Sequence, residues 1–144
     1  MAPVLKAAIG LLMALAAASI WHGPLGFGER LVDRLEAEAR AEVAKAELPG
    51  IKVALSRDPL ARAATLSGPA NDLQREGLGS QKGLSDHARG VEGISGVRWA
   101  DEPDAGRRIV PLLLETLALA ALAYLIGLGL GWLLWGRRHR ERFD

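Results

Sequence analysis

IVPLLLETLALAALAYLIGLGLGWLLW, residues 109–135, carries one charged side chain, Glu115, and is followed at once by Gly136-Arg137-Arg138-His139-Arg140. At about 1.5 Å per residue a helix of these 27 residues reaches roughly 40 Å, more than the roughly 30 Å hydrocarbon core of a bilayer. The stretch therefore reads as a transmembrane helix with a basic stop behind it. A second apolar run, Val4 to Trp21, stands near the other end of the 144 residues, so the segment from His22 to Arg108 is held between two oily ends. The expected organisation is an N-terminal span over 1–21, an extracytoplasmic domain over 22–108, a second span over 109–135 and a basic cytoplasmic tail over 136–144.

Positive charge stays on the cytoplasmic side of bacterial-type membranes, which orients both spans. Arg137, Arg138 and Arg140, with Arg142, hold the C-terminal side in the cytoplasm, and Lys6 does the same for the N-terminal side. Arg107 and Arg108 oppose this rule but stand beside Asp101, Glu102 and Asp104. The expected location is the bacterial inner membrane, both termini cytoplasmic and the central domain periplasmic. Trp21, Trp132 and Trp135 then fall where amphipathic rings anchor in the interface. The first run is short, follows a lysine and is rich in alanine near Ala16 and Ala18, which are also marks of a secretory signal peptide. The retained anchor is the preferred of these two readings.

Within the second span Gly127 and Gly131 form a Gly-x-x-x-Gly ridge, a place where another helix, the first span or that of another protein, approaches closely. Glu115 lies about two turns inside the apolar run, where an ionised carboxylate must snorkel to the interface or meet a partner. Pro111 suits the first turn, where its missing N–H costs nothing.

Composition narrows function. From His22 to Arg108 there are 13 Lys and Arg against 14 Asp and Glu, with the signs interspersed. That balance offers no basic face for nucleic acid. No cysteine is present, so disulfides, thiolate metal sites and thiol nucleophiles are excluded. His22, His87 and His139 fall in separate regions, away from metal-ligand spacing. Ser85, Asp86 and His87 are consecutive and so point to different helix faces, unsuited to a catalytic triad. Gly90, Gly93 and Gly96 lack the spacing of a phosphate-binding loop. No catalytic residue, metal or cofactor is expected, and two spans without a polar stripe do not suggest a transporter.

The loop reads as a small α/β unit. After a flexible exit through Gly28, Leu31, Leu35, Ala39, Val43 and Ala46 recur at helical steps, with a charged opposite face that includes Glu29, Asp33, Glu36, Glu38 and Glu42. Glu36 and Arg40 form a favourable i,i+4 pair, and Pro49-Gly50 is expected to end the helix. The apolar stripe is narrow enough to pack on one face of a small sheet. Ile51, Val53 and Leu55 alternate as in a half-buried strand, Arg57 to Leu60 reads as a turn, and a second strand over 62–67 completes an antiparallel hairpin. Asn71 or Asp72 can cap a following helix, Leu84 to Val91 reads as another, and Gly93 to Trp99 reads as a turn into a last strand.

Two segments in this order, Ala64-Thr65-Leu66-Ser67-Gly68-Pro69 and Val91-Glu92-Gly93-Ile94-Ser95-Gly96-Val97, resemble the strand ending in Leu-x-Gly and the closing segment of a BON domain. The resemblance runs from about Leu31 to Trp99. It is similar to modules of small alphaproteobacterial two-span envelope proteins of unknown function. It implies an α+β membrane protein whose BON-like domain binds or scaffolds near phospholipid or protein surfaces. The functional expectation is a non-enzymatic accessory or scaffolding protein, a small subunit that stabilises a larger membrane complex. Its partners would be membrane lipids and other integral membrane subunits, with no nucleic acid. The alternative is an independent lipid- or envelope-binding protein acting through the BON-like domain.

Overall fold

In the computed structural model, which describes residues 3–78, 81–103 and 109–135, the two apolar runs are helices: α1 spans Pro3–His22 and α5 spans Leu112–Trp135. Both are long and apolar enough to cross a membrane, by length and composition. At 20 and 24 residues they measure roughly 30 and 36 Å. Neither has an apolar side and a polar side; apolar residues ring both helices, as in a helix that has no water-facing surface. Contacts divide the chain into a unit built on these helices and a second unit, Gly26–Leu112.

The second unit is a small α+β domain. Its elements run α2 Phe27–Ala44, β1 Lys52–Arg57, β2 Leu60–Ser67, α3 Asp72–Glu76, β3 Gly77–Leu78, β4 Gln81–Lys82, α4 Leu84–Arg89 and β5 Gly96–Trp99. The main sheet has the order β1-β2-β5, with β1 antiparallel and β5 parallel to β2. The hairpin register pairs Val53 with Leu66 and Leu55 with Ala64, and all four side chains are buried. Strand alternation thus turns one sheet face toward α2 and α4. β3 and β4 form a separate short hairpin that the glycine-rich sequence there did not announce.

α2 differs from the sequence expectation at both ends and along one edge of its buried face. It starts at Phe27 directly after Gly26, whose φ of 68° needs the left-handed region, so Gly28 is a buried helical residue and not part of a flexible exit. It stops at Ala44, and Glu47 takes a φ of 54° before Pro49 is reached. The buried stripe is Val32, Leu35, Glu36, Ala39 and Val43, while Leu31 is 41% exposed. Leu35, Ala39 and Val43 are buried as their spacing predicts, and only at the start of the stripe does packing on the sheet take Val32 in place of its neighbour Leu31. Glu36, assigned by sequence to the solvated face, is therefore inside.

Glycine explains why β2 must end where it does. Gly68 has a φ of 131°, and a Cβ there would lie 3.0 Å from Ile51 Cα and nearer still to the Gly50 carbonyl oxygen. Only a residue without a side chain lets the chain leave Ser67 across the start of β1. Asn71, not Asp72, caps α3: its Oδ1 accepts from the Gln74 N–H at 2.9 Å, and the Gln74 Oε1 accepts from the Asn71 N–H at 2.9 Å. Trp99, Leu66, Leu84 and Val32 are the largest fully buried apolar side chains. Leu112, the first residue of α5, is buried in this same core. Pro111 consequently precedes α5 and does not occupy its first turn, and Glu115 lies in the first turn, not two turns deep.

Candidate functional site

The two apolar helices meet at a tyrosine. The Tyr124 hydroxyl, in an otherwise apolar run, donates to the Ala7 carbonyl oxygen at 2.7 Å. Gly10 makes room for the ring: a Cβ there would sit 3.0 Å from Tyr124 Cε2 and would strike the hydroxyl. The carbonyl at Ala7 also accepts within its own helix by geometry of position, so the tyrosine adds a cross-helix bond without breaking α1. Sequence reading missed this contact. The signal was there, since Tyr124 is the only tyrosine in the chain and its O–H had to find an acceptor.

The predicted packing ridge is elsewhere. A Cβ on Gly127, Gly129 or Gly131 would meet nothing within 4 Å, so Gly127 and Gly131 do not carry the contact between α1 and α5. Trp21 and Trp132 are exposed. Arg137, Arg138 and Arg140, expected to set orientation, lie outside the described residues, as does the side chain of Trp135.

In the domain the most concentrated polar arrangement surrounds Glu36. Its Oε2 accepts from the Leu55 N–H at 3.0 Å and from Arg57 Nη2 at 3.2 Å, and its Oε1 accepts from Arg40. Arg57 also donates to Asp33 at 2.7 Å, and Arg40 Nε donates to the Val53 carbonyl at 3.2 Å. Burial pushes the Glu36 carboxyl up, but the Leu55 N–H and the guanidinium groups of Arg40 and Arg57 together outweigh it and hold the group below its ordinary value. A carboxylate so saturated with donors is fixed as an acceptor, and its geometry serves α2–β1 docking. β1 is an edge strand, and Val53 and Leu55 would otherwise turn unused backbone groups outward. Beside it lies a cleft of about 660 Å³, walled by Val43, Leu48, Pro49 and Ile51 and flanked by Arg40 and Lys52.

A second polar arrangement centres on Trp99. Its Nε1–H donates to Ser85 Oγ at 3.1 Å, and the Arg75 guanidinium lies 4.3 Å from the ring centroid. Arg75 in turn donates to both oxygens of Asp101, at 3.0 and 2.7 Å, which lowers the Asp101 pKa and raises that of Arg75. Asp86 accepts from the Gly83 N–H at 3.4 Å and pairs with Arg89 at 3.6 Å. Ser85 and Asp86 are thus engaged in packing and capping, on different partners. Among the described residues no group of three or more His, Cys, Asp or Glu converges as a metal site.

The chain matches no family model, no curated protein and no solved structure. What the geometry offers is a small mixed α+β domain without obvious catalytic chemistry among its described residues, joined to two apolar helices of membrane-spanning length.

Proposed function

We propose that this protein is a non-enzymatic accessory or scaffolding subunit of the bacterial inner membrane, which stabilises a larger membrane complex through its two spans and its periplasmic domain. The observation that carries the reading is the lack of internal cover on the long helices. No residue of α1 is buried, and the glycine face of α5 is open. Lipid can cover the leucines of α5, but a face on which Gly127 and Gly131 stand one turn apart suits close approach by another helix.

Extraction in a mild detergent tests the proposal. The chain should migrate with a large assembly, and Gly127→Leu combined with Gly131→Leu should release it as a small particle. Recovery of the unaltered protein as a lone small particle would refute the subunit reading in favour of an independent envelope-binding protein. Orientation is tested separately: alkaline phosphatase fused after Pro69 should be active and fused after Asp144 inactive, and the reverse pattern would overturn the assigned topology.

A further inference from the structure

β1 has a strand neighbour on one side only, so the backbone groups on its other edge must find partners elsewhere. Two of them do. The Leu55 N–H donates to Glu36 Oε2 at 3.0 Å, and the Val53 C=O accepts from Arg40 Nε at 3.2 Å. Residues 53 and 55 thus turn their backbone groups away from β2, and Lys52, which pairs with Ser67, turns its own toward β2. In the peptide units on either side of Lys52, the Ile51 C=O and the Val53 N–H therefore point outward. Neither finds a hydrogen-bond partner among the described residues. Both residues stand in the wall of the cleft of about 660 Å³ beside β1.

Side chains alternate along this stretch. Val53 belongs to the core beneath α2, Ile51 packs against it, and Val43, Leu48 and Pro49 continue the apolar wall. Lys52 emerges on the opposite face of the sheet, exposed, with Ala54 beside it on β1 and Ser67 and Thr65 on β2. No carboxylate stands among these neighbours, and none of the ion pairs among the described residues includes Lys52. Arg40, also in the cleft wall, is already committed to Glu36 and Val53. Glu47, the one carboxylate of that wall, lies on the loop after α2.

We propose that the first half of the β1 edge takes an extended segment of a partner protein as an added strand, with an acidic residue opposite Lys52 and an apolar residue on each side of it. An outward C=O and N–H that flank one residue fix the register: whichever way the added strand runs, one of its residues lies opposite Lys52. That residue projects on the Lys52 face, where a carboxylate makes a favourable cross-strand pair, and its two neighbours turn into the cleft. Glu47 disfavours a further acid among those that enter. A second copy of this chain fits poorly, because the register that uses both free groups of both copies sets one Lys52 against the other. Glu36 on the Leu55 N–H keeps the pairing short. The surface gives a chemical description of a partner for the scaffolding role proposed above, and rests on that reading. Migration with a large assembly and capture of a short peptide are separate measurements, so either can fail alone.

Full-length protein in detergent micelles is titrated into a fluorescein-labelled peptide, Ser-Val-Glu-Val-Ser, with empty micelles as the blank and anisotropy as the readout. Binding should saturate, and should weaken roughly fivefold when lysine replaces the glutamate. N-methylation of the glutamate and of the valine after it should abolish binding, because one of these amides supplies the bond to the Ile51 C=O. Lys52→Glu, a change at an exposed side chain, should reverse the preference between the two peptides. Hydrogen exchange at the Val53 amide should slow when the peptide is bound. Absence of saturable binding, binding that survives N-methylation, or a preference unmoved by Lys52→Glu overturns the strand addition.

Discussion

The two units of this chain are held by opposite means. In the domain, side chains from α2, α4 and the sheet bury one another: Val32, Ala39, Leu66 and Ala88 have no exposed surface at all. In the helical unit no residue of α1 is fully buried, and α5 turns Leu119, Leu122, Leu125 and Leu134 outward. Burial of apolar surface stabilises the first from within, at roughly 25 cal/mol per Å². The second covers little of its apolar surface from within, chiefly where Tyr124 meets Ala7 and Gly10, and leaves the rest to be covered from outside the chain. One polypeptide therefore contains a part that water can fold and a part that water cannot.

Substitutions should expose this contrast. Trp99→Ala removes the largest buried side chain together with its bond to Ser85, and should cost the domain about 3–5 kcal/mol in a urea melt followed by circular dichroism. The matching truncation in the other unit, Leu122→Ala at a residue 54% exposed, should move the same transition by less than about 0.5 kcal/mol. Equal losses at the two positions would abolish the distinction.

Glu36→Ala comes next, at about 2–3 kcal/mol, because it leaves the Leu55 N–H and two guanidinium groups without their shared acceptor. The same site gives the domain an acid-sensitive component. The folded state holds Glu36 below its ordinary pKa, so the unfolded chain binds the proton more readily. The stabilisation is complete above the ordinary carboxylate range and is lost as pH falls through the lowered value. Urea midpoints measured from neutral pH downward should fall less steeply in Glu36→Gln than in the unaltered protein. Asn71→Ala, which deletes the cap of α3, should cost about 1 kcal/mol in the same melt. A small effect is also expected between the long helices. Tyr124→Phe removes one hydrogen bond in an apolar setting, worth about 0.6 kcal/mol, read as a reduced yield of cross-linking between single cysteines placed on α1 and α5.

Much of the architecture is legible in the residues because it follows from period. Alternation at Ile51, Val53 and Leu55, the turn residues Asp58-Pro59, and Gly68 after Ser67 define the hairpin, and the structure adds Arg57 to the end of β1 and Leu60 and Ala61 to the start of β2. Two long apolar runs, each holding a single charged residue, Lys6 and Glu115, define α1 and α5. What escapes sequence reading depends on partners distant in the chain. The edge of the buried face of α2 is set by β1 and β2, so Val32 could not be preferred to Leu31 from spacing alone. Glu36 pairs with Arg40 one turn away, as its spacing announced, yet its burial comes from Leu55 and Arg57, on a strand that the helix cannot foresee. Arg75 on Trp99 and Tyr124 on Ala7 are likewise meetings across loops. The candidate sites thus divide in the same way: Gly127 and Gly131 were visible as a motif, whereas the contact that joins the helices was not.

The engagement of Arg40 and Glu36 with Val53 and Leu55 bears on crowding. Copies of a protein confined to a lipid surface collide far more often than the same number free in solution, and a bare strand border on each would be a template for stitching neighbours into ribbons. By spending two side chains of its own helix on that border, the domain makes itself a poor template, so high density in a membrane need not end in cross-strand aggregation.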